Sequence, residues 1–535
     1  MALETPSSRL QWQLSEQGSW ERDIDECERF YICSTRKGKG CFPVTGYASF
    51  LVTPPNSTTT VQEERLVEVA LRKAWITLRH KHPTLGSRIQ RDKDSNRFRR
   101  VYWPFQGSDE EKSWVCSTFK VVDTGINALG WFNDNALAFE SPTLFLVRSK
   151  DGDNRDHTIF LQCPHDMCDG VGILQLVNQL FHYAALAREQ GDQYSLPELA
   201  KEYEGLSPCL QIAAAIPDSL SETHTNRFKV IQRQNAAIYE HNSLIGLPQS
   251  STGTDDMENE KILRLSIPVS KTITAQVLHS CKEIVPGVTV THVFISALAL
   301  ALADLQSRKE EPYPVRYVNH SMLNLRPYCR HPYNSPDHAA AAYHTISAQA
   351  LGIDLDVPGS SDKATKDQSI DELRRIVTQV RDFFKELRAD SPTGIDEQVA
   401  LAPATFKAFT PPPSSDPHAV SEPLFCPVSL SSMGNVNSIV QPMHGPFELT
   451  NVWAASEPIG AGVALFLGSW GGEMELSSVF DARYHEPDYI EGFLGRILDR
   501  VREGLGIDKY AAIDRAGPTK VQRARIESEK ASNVT

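Results

Sequence analysis

The spacing of apolar residues divides the first part of the chain into helices and short strands. Residues 60–79 place large apolar side chains every three or four positions, from Val67 to Leu78, and predict an amphipathic helix. Residues 158–163 form a short, mostly apolar run that is typical of a buried strand. Residues 172–183 return to helical spacing. The pattern therefore predicts a strand, a turn and a helix in succession.

The second part of the chain continues this mixture. Residues 261–267 alternate between apolar and polar side chains, as a half-exposed strand does. Residues 463–480 predict a hairpin with its turn at Gly471 and Gly472. Residues 293–305 are almost entirely apolar and predict a buried helix, for which Thr291 offers a cap.

Two further helices are predicted closer to the end. Ser369 and Glu372 have the spacing of a capping box at the start of one, and residues 490–501 carry the helical spacing of the other. Helices and strands follow one another without the regular strand–helix–strand repeat of α/β proteins. The sequence therefore predicts an α+β fold with mixed sheets flanked by helices.

Composition indicates a large globular protein. The chain has 535 residues, 41% hydrophobic and 23% charged, with a formal net charge of −13. This acidic balance argues against a nucleic-acid-binding protein, which needs a basic face. No apolar run approaches the roughly 20 residues that cross a membrane, and the first residues do not resemble a signal peptide. The ten cysteines are irregularly spaced and expected to be reduced, so we expect a cytoplasmic protein.

A polar, acidic stretch at residues 248–260 and a highly charged C-terminal tail indicate domain boundaries. The length corresponds to about three to four domains of ordinary size, or to two large ones. We expect an N-terminal domain at residues 1–205, a crossover linker at 206–259, a C-terminal domain at 260–510 and a frayed tail at 511–535.

The segment with the most chemical content is Leu161 to Gly172, with the sequence LQCPHDMCDGVG. The predicted strand delivers His165 to a tight turn, and Asp166 and Asp169 lie near the start of the following helix, whose dipole favours negative charge. A histidine in such a place tends to stay neutral, which suits a general base that takes a proton from a hydroxyl or an amine. A capped helix start without a catalytic role explains the same residues.

Two other chemistries are open for this turn. Cys163, His165 and Cys168 could bind a metal ion, but three ligands on one short turn, without a second Cys/His pair, do not have the spacing of a structural zinc site. A nucleophilic Cys163 or Cys168 is less favoured, because no cationic neighbour apart from His165 would lower the thiol pKa. We therefore expect no metal.

The HxxxDG string from His165 to Gly170 resembles the active-site motif of the CoA-dependent acyltransferase superfamily, which includes chloramphenicol acetyltransferase, the plant BAHD acyltransferases and the condensation domains of nonribosomal peptide synthetases. Further segments match in the same order along most of the chain: residues 28–31 (ERFY), 78–85 (LRHKHPTL), 289–302 (TVTHVFISALALAL), 324–327 (NLRP) and 429–434 (SLSSMG). The combination is most similar to stand-alone fungal acetyltransferases of the trichothecene 15-O-acetyltransferase type.

The resemblance implies two chloramphenicol-acetyltransferase-like domains with an active-site tunnel between them. It implies an acyl-CoA co-substrate, with acetyl-CoA as the expected donor. His165 would be the base that deprotonates a hydroxyl of a small secondary metabolite, and Asp169 would be structural and bind Arg326. Gly170 would keep the tunnel wall free of a side chain. The chain is expected to act as a monomer.

Four further residues are candidates for the tunnel. Ser431 or Ser432 is a candidate donor to the oxyanion, and an ordinary turn serine is an equally good interpretation. Trp453 and Trp470 are candidates for lining the acceptor pocket, although aromatic residues in strands more often belong to the core. The sequence does not indicate which residues bind CoA.

Two departures from the family pattern leave alternatives open. Condensation domains usually carry a second histidine directly before the motif, where this chain has Pro164, and the plant DFGWG motif is absent. The chain also lacks a carrier-protein serine motif, which favours a freely diffusing CoA thioester. The alternatives to an O-acyltransferase are an enzyme of the same fold that acts on a carrier-bound acyl group or catalyses a cyclisation, and a catalytically silent binding scaffold.

Overall fold

The computed structural model describes residues 6–34, 43–53, 60–92, 97–135, 141–149, 157–198, 201–240, 243–250, 261–362, 366–388, 396–411 and 426–507. Within these ranges the chain forms helices and mixed sheets, so the α+β prediction is confirmed. None of the helices in these ranges is both long enough and apolar enough to span a membrane.

The helices include every one that the apolar spacing predicts. In chain order they are α1 (Pro6–Arg9), α2 (Glu26–Cys33), α3 (Thr60–Lys81), α4 (Ser108–Thr118), α5 (Ala128–Asp134), α6 (Gly170–Gln190), α7 (Leu210–Ala213), α8 (Glu222–Tyr239), α9 (Lys271–Ile284), α10 (Val290–Asp304), α11 (Lys366–Leu387), α12 (Glu397–Phe409) and α13 (Pro487–Gly504).

The strands are mostly short. In chain order they are β1 (Gln13–Leu14), β2 (Trp20–Asp23), β3 (Pro43–Val52), β4 (Arg88–Arg91), β5 (Phe98–Tyr102), β6 (Phe119–Thr124), β7 (Thr143–Ser149), β8 (His157–Pro164), β9 (Leu244–Ile245), β10 (Ile262–Val269), β11 (Tyr313–Asn319), β12 (Met322–Asn324), β13 (His344–Ile346), β14 (Leu351–Val357), β15 (Val428–Asn435), β16 (Met443–His444), β17 (Phe447–Ser456), β18 (Val463–Trp470) and β19 (Glu473–Asp481).

A six-stranded sheet, in the order β16-β17-β3-β8-β7-β6, forms the centre of the first lobe, which we define as this sheet with α3 and α6. Its neighbouring strands are antiparallel except for β6 and β7. Apolar residues of α3 and α6, such as Trp75 and Val177, are buried in one core with residues of the sheet. Strand β8 is central in this sheet and carries His165 at its end.

A four-stranded sheet, in the order β10-β19-β18-β15, forms the second lobe together with α9, α10, α11 and α13. Strands β18 and β19 are the predicted hairpin and pair antiparallel around Gly471 and Gly472. Helix α10 packs against α11 and α13, and all its residues from His292 to Ala303 are buried. The predicted all-apolar helix therefore lies in the core of this lobe.

Two predicted helix caps are wrong. The N-cap of α10 is Thr289, and the hydroxyl of Thr291 donates instead to Ser432 Oγ at 2.9 Å. Helix α11 begins at Lys366, so Ser369 lies inside the helix and does not cap it. Lysine and glutamine are good helix formers, and they extend α11 towards the N-terminus beyond the expected box.

Strands β16 and β17 come from the second half of the sequence but complete the sheet of the first lobe. Residues 44–52 of β3 pair antiparallel with residues 447–456 of β17. The segment 206–259, predicted as a crossover linker, contains α7, α8 and β9. The predicted domain boundaries stay predictions, and residues 251–260 and the tail at 511–535 lie outside the described residues.

Candidate active site

The HxxxDG segment forms the turn between β8 and α6. The N–H of Met167 donates to the carbonyl oxygen of Pro164 at 3.0 Å and closes the turn behind His165. Asp169 is the N-cap of α6, which begins at Gly170. His165 itself is only 7% exposed. The strand–turn–helix order predicted from hydrophobicity is therefore confirmed, and it buries the motif histidine.

The carboxylate of Asp169 joins this turn to the second half of the chain. Oδ1 accepts the N–H of Gly172 at 2.7 Å and Nη2 of Arg326 at 3.1 Å, and Oδ2 accepts the N–H of Tyr343 at 2.7 Å. Burial alone would raise the pKa of Asp169, but Arg326 and these N–H groups outweigh it and hold that pKa below its ordinary value. Asp169 is therefore ionised and fixes three segments at once.

The guanidinium of Arg326 is equally buried. Besides Asp169, it donates to the carbonyl oxygens of His338, Ala339 and Ala341 at 3.1, 3.2 and 2.6 Å. The two side chains that the resemblance expects to pair are thus within hydrogen-bond distance, and the pair is saturated by backbone groups. A buried ion pair of this kind fixes geometry more than it adds net stability.

Asp166 belongs to a second buried charge network and not, as the sequence suggested, to the start of α6. Arg100 Nη2 donates to Asp166 Oδ2 at 2.6 Å, and Arg100 Nε donates to Glu28 Oε1 at 2.8 Å. Arg22 donates to both oxygens of Glu28 at 2.7 Å. Burial alone would raise the pKa of Glu28, but Arg22 and Arg100 lower it to about 2. This network holds the turn from the N-terminal side.

Two aromatic rings surround the imidazole of His165. The ring of Tyr31 stacks on it, with 4.0 Å between centroids and 10° between planes. His344 lies at a centroid distance of 5.6 Å, and the hydroxyl of Tyr31 is 2.6 Å from His344 Nε2. Burial lowers the pKa of His165 below its ordinary value of 6.5, against the opposing charges of Asp169 and Asp166. His165 is therefore neutral near physiological pH, and burial is the main cause.

Gly172 is the glycine at which another backbone passes closely. A Cβ atom there would overlap the carbonyl oxygen of Ala339 and the guanidinium of Arg326. Gly170 instead faces a side chain, because a Cβ atom there would lie 3.2 Å from Sδ and Cε of Met433. Neither glycine has a positive φ, so close packing against backbone explains Gly172, and the tunnel-wall role expected of Gly170 stays a prediction.

A cavity of about 470 Å³ lies between β17 of the first lobe and β18 and β19 of the second. Trp453 and Trp470 both line it, as does Met433. Trp453 also stacks on Tyr47 with 4.7 Å between centroids, so it belongs to the core as well. Among the described residues that line this cavity His165 does not appear, and Met433, which packs against Gly170, connects the cavity to the turn.

Met433 reaches this position through an irregularity in β15. The pairing of β15 with β18 shifts register between Ser432 and Gly434, and Gly434 has a φ of 68°. Such a bulge re-aims a side chain, and the left-handed φ favours glycine. Ser432 accepts a hydrogen bond from Thr291, whereas Ser431 pairs with Phe466 of β18. The oxyanion role predicted for Ser431 or Ser432 stays a prediction.

The thiols of this turn do not show the features of a nucleophile or of a metal site. Burial raises the pKa of Cys168 well above its ordinary value. Over the described ranges, no group of three His, Cys, Asp or Glu side chains could hold a metal ion, and no disulfide joins the cysteines.

Sequence reasoning assigned no role to four residues that the structure brings to the turn. Glu28 and Tyr31 lie in the segment that resembles the family's opening, and that resemblance was their only signal. Arg100 and His344 are single residues in strands or at strand ends, and no local pattern distinguishes them.

Several known proteins are similar to this chain, and three of them are described below, although no family model matches it. The chain is 23% identical over 523 residues to the acetyltransferase pigO of Monascus ruber, covering 94% of this chain and all of that protein. The TRI3 trichothecene 15-O-acetyltransferase from Fusarium sporotrichioides superimposes with a TM-score of 0.75 at 15% identity, over 94% of this chain and 100% of that one. The condensation domain of the monacolin K polyketide synthase MokA gives 0.54 at 10% identity, over 91% and 97%.

The two solved structures cover nearly the whole chain, so the likeness includes both lobes. The predicted resemblance is confirmed at the level of the fold. The chain has the fold that CoA-dependent acyltransferases share with condensation domains.

Proposed function

We propose that this protein is an O-acyltransferase that moves an acyl group, most simply acetyl, from CoA to a hydroxyl of a small secondary metabolite. The observation that carries the proposal is His165, a buried and neutral imidazole at the end of a central strand, fixed by two buried ion-pair networks. The likeness to a protein named acetyltransferase pigO and to a trichothecene 15-O-acetyltransferase supports it.

The reaction needs one proton to move twice. His165 takes the proton of the acceptor hydroxyl as the oxygen forms a bond to the thioester carbonyl carbon. The tetrahedral intermediate then collapses, the carbon–sulfur bond breaks, and the imidazolium returns the proton to the leaving CoA thiolate. The base is neutral again and no other reactant is consumed.

We propose that the carbon skeleton of the acceptor binds in the cavity beside Met433 and that its hydroxyl extends past Met433 to His165, which does not itself line the cavity. The cavity volume of about 470 Å³ lies within the usual range for small-molecule sites, and Trp453 and Trp470 supply apolar surface for a carbon skeleton. Acyl-CoA would be a co-substrate that enters between the lobes, and the protein would act on it as a monomer, without nucleic acid or membrane partners. Trp453 and Trp470 would thus be binding residues, and Asp169, Gly170 and Arg326 structural ones.

The test is transfer of radiolabelled acetyl from acetyl-CoA to a panel of polyol terpenes and polyketides by the full chain. His165→Ala should lower kcat by about 10² or more, because general-base catalysis contributes about 10² to 10⁴. KM should change little, since the imidazole binds the proton in the transition state. His279→Ala, at an exposed position on α9, is the matched control. A folded His165→Ala enzyme with near-normal turnover would contradict the proposal.

The pH dependence follows from the pKa of His165. Because burial lowers this pKa below 6.5, the imidazole stays in its basic form down to pH values below 6.5. Activity should therefore fall on the acid side only below that pH. An acid limb above 6.5 would show that another group limits the rate.

The likeness to a condensation domain favours a second candidate, in which the same histidine acts on a carrier-bound acyl group or promotes a cyclisation. The residue before His165 is Pro164, where condensation domains usually have histidine. Replacing acetyl-CoA by an acyl-loaded carrier protein distinguishes the two. Binding of metabolites without turnover on either donor would instead indicate a silent scaffold.

A further inference from the structure

His344 brings a second imidazole to the candidate active site from a distant part of the chain. It is the first residue of β13, and it follows Tyr343, whose N–H binds Asp169. It is 7% exposed, and its ring is 5.6 Å from that of His165 and from that of Tyr31. The ring of His344 therefore lies beside that of His165 but does not stack on it.

The hydrogen bond between Tyr31 and His344 has a defined direction. Burial raises the pKa of the Tyr31 phenol well above its ordinary value and lowers the pKa of His344 to about 3, so both groups are neutral. His344 Nδ1 makes no hydrogen bond in the described part of the chain, and the ionised Asp169 Oδ2 lies 4.0 Å from it. A lone pair facing a carboxylate is unfavourable, so Nδ1 carries the hydrogen. Nε2 is then the acceptor, and the phenol of Tyr31 donates to it at 2.6 Å.

This arrangement fixes the face of the Tyr31 ring against His165. The phenol is held at its hydroxyl by His344, and its ring lies parallel to the imidazole, with 4.0 Å between the centroids. Donation of the phenol proton leaves more electron density on the ring. The face of an aromatic ring attracts a cation, so the ring stabilises the imidazolium more than the neutral imidazole.

We propose that Tyr31 and His344 are positioning residues for His165: His344 orients the phenol, and the phenol ring fixes the plane of the imidazole and stabilises its protonated form during acyl transfer. This inference rests on the proposed function. Under this proposal the carboxylate of Asp169 has two roles, because it caps α6 and also sets the tautomer of His344.

The other charged and titratable groups around His165 come from the same turn and from elements packed on it. Asp166 and Asp169 act on it from its own turn, and Arg326 acts on both Asp169 and His344. Arg100 neutralises Asp166. Tyr31→Leu removes both the ring and the donor to His344 Nε2, so the effect of the ring is the difference between this variant and Tyr31→Phe, which removes the donor alone.

Tyr31→Leu removes the ring and is the main test. We expect kcat to fall about 3- to 30-fold, the range that corresponds to one cation–π contact, with both KM values nearly unchanged. The pKa of His165, followed by NMR with His165→Ala to assign its signal, should fall, because the imidazolium loses its stabilising face. The acid limb of the pH–rate profile should move to lower pH with it. A purely structural loss would lower kcat without moving that limb.

Milder variants keep the test valid if Tyr31→Leu folds poorly. Tyr31→Phe keeps the ring but leaves His344 Nε2 without its donor, so kcat should fall less. His344→Gln, whose carbonyl oxygen can accept the phenol proton, should retain more activity than His344→Ala. The exposed Tyr239 and the half-buried His320 form a hydrogen bond between the same two groups, at 3.0 Å and with the rings 6.2 Å apart. Tyr239→Phe is the control and should change neither kcat nor the acid limb.

Failure of the inference and failure of the proposed function give different results. If His165→Ala abolishes turnover but folded Tyr31→Leu and His344→Ala keep wild-type kcat and the wild-type acid limb, the positioning role is wrong and the acyltransferase proposal stands. If wild type shows no transfer from any donor, the proposed function is wrong. The NMR pKa of His165 in Tyr31→Leu then still decides the inference, because an unchanged value would overturn it.

Discussion

Helices α6 and α10 both bury apolar side chains in a core, but they begin in opposite ways. Helix α6 starts at the ionised Asp169, beside two networks of buried arginines and carboxylates. Helix α10 starts at the uncharged Thr289 and runs through the core of the second lobe with an almost wholly apolar surface. The fold therefore holds one helix by apolar burial and surrounds the start of the other with charge.

The contrast shows what the buried charges contribute. Desolvating a charge is costly, and a paired buried charge returns little net stability. Helix α10 demonstrates that apolar burial is enough to keep a helix in place. The ion pairs at the start of α6 are therefore best explained by geometry, since they fix the turn that carries His165 from both sides.

The largest expected effect comes from breaking the charge balance at the start of α6. Asp169→Ala should cost about 3 to 5 kcal/mol of unfolding free energy, because it leaves Arg326 buried without a counter-charge. Urea unfolding followed by circular dichroism measures this. Asp169→Asn should keep most of the fold but lower activity, since an NH₂ group replaces one of the two acceptors. If Asp169→Ala is as stable as wild type, the ion pair is dispensable and the contrast fails.

A substitution in α10 tests the other side of this comparison, the helix that is held by apolar burial. Leu298 is fully buried in that helix, and Leu298→Ala should cost about 2 to 5 kcal/mol through lost burial and a cavity. Leu298 belongs to the core of the second lobe, whereas Met167 and Cys168 of the turn belong to that of the first, so turnover per folded molecule should stay unchanged below the unfolding temperature. A large drop in kcat with this variant would mean that the second lobe acts on His165 in a way that its contacts do not suggest.

The smallest expected effect tests close packing at the start of α6. Gly172→Ala should destabilise the protein by about 1 to 3 kcal/mol, because the added methyl group overlaps Ala339 and Arg326. Gly492→Ala, on the exposed side of α13 with no atom near the new methyl group, should instead stabilise by about 0.5 to 1 kcal/mol. Thermal unfolding of the two variants compares them directly. Equal shifts in Tm would show that the turn can relax around a side chain.

The sequence predicted the parts of the site that depend on neighbouring residues. The order of β8, turn and α6 follows from hydrophobicity, and the motif resemblance assigned Asp169 and Arg326 to one pair. The Glu28–Arg100–Asp166 network joins three separate elements, and single charged residues in strands have no pattern of their own. The sequence predicts the cap of α10 at Thr291, two residues too late. Thr289 and Thr291 are equally good caps by residue type, and tertiary packing decides between them.

His344 shows the same limit from the chemical side. In the sequence it is one of 16 histidines, in a short strand without a motif. Its role depends on Tyr31, which is hundreds of residues away and was singled out only as part of a resemblance. Only the fold brings the two within 2.6 Å of each other.

Strand β17 has a consequence for how the protein is made. It pairs with β3 along nearly the full length of both strands, yet it is among the later strands to leave the ribosome. Until residue 456 has been added, the nascent first sheet presents β3 as an open edge, and such edges recruit other chains. The edge of β3 therefore stays unpaired while the residues between β3 and β17 are synthesised. We expect chaperones to bind the nascent chain mainly during this interval. Truncated chains that end before β17 should be found in aggregates or in degradation products.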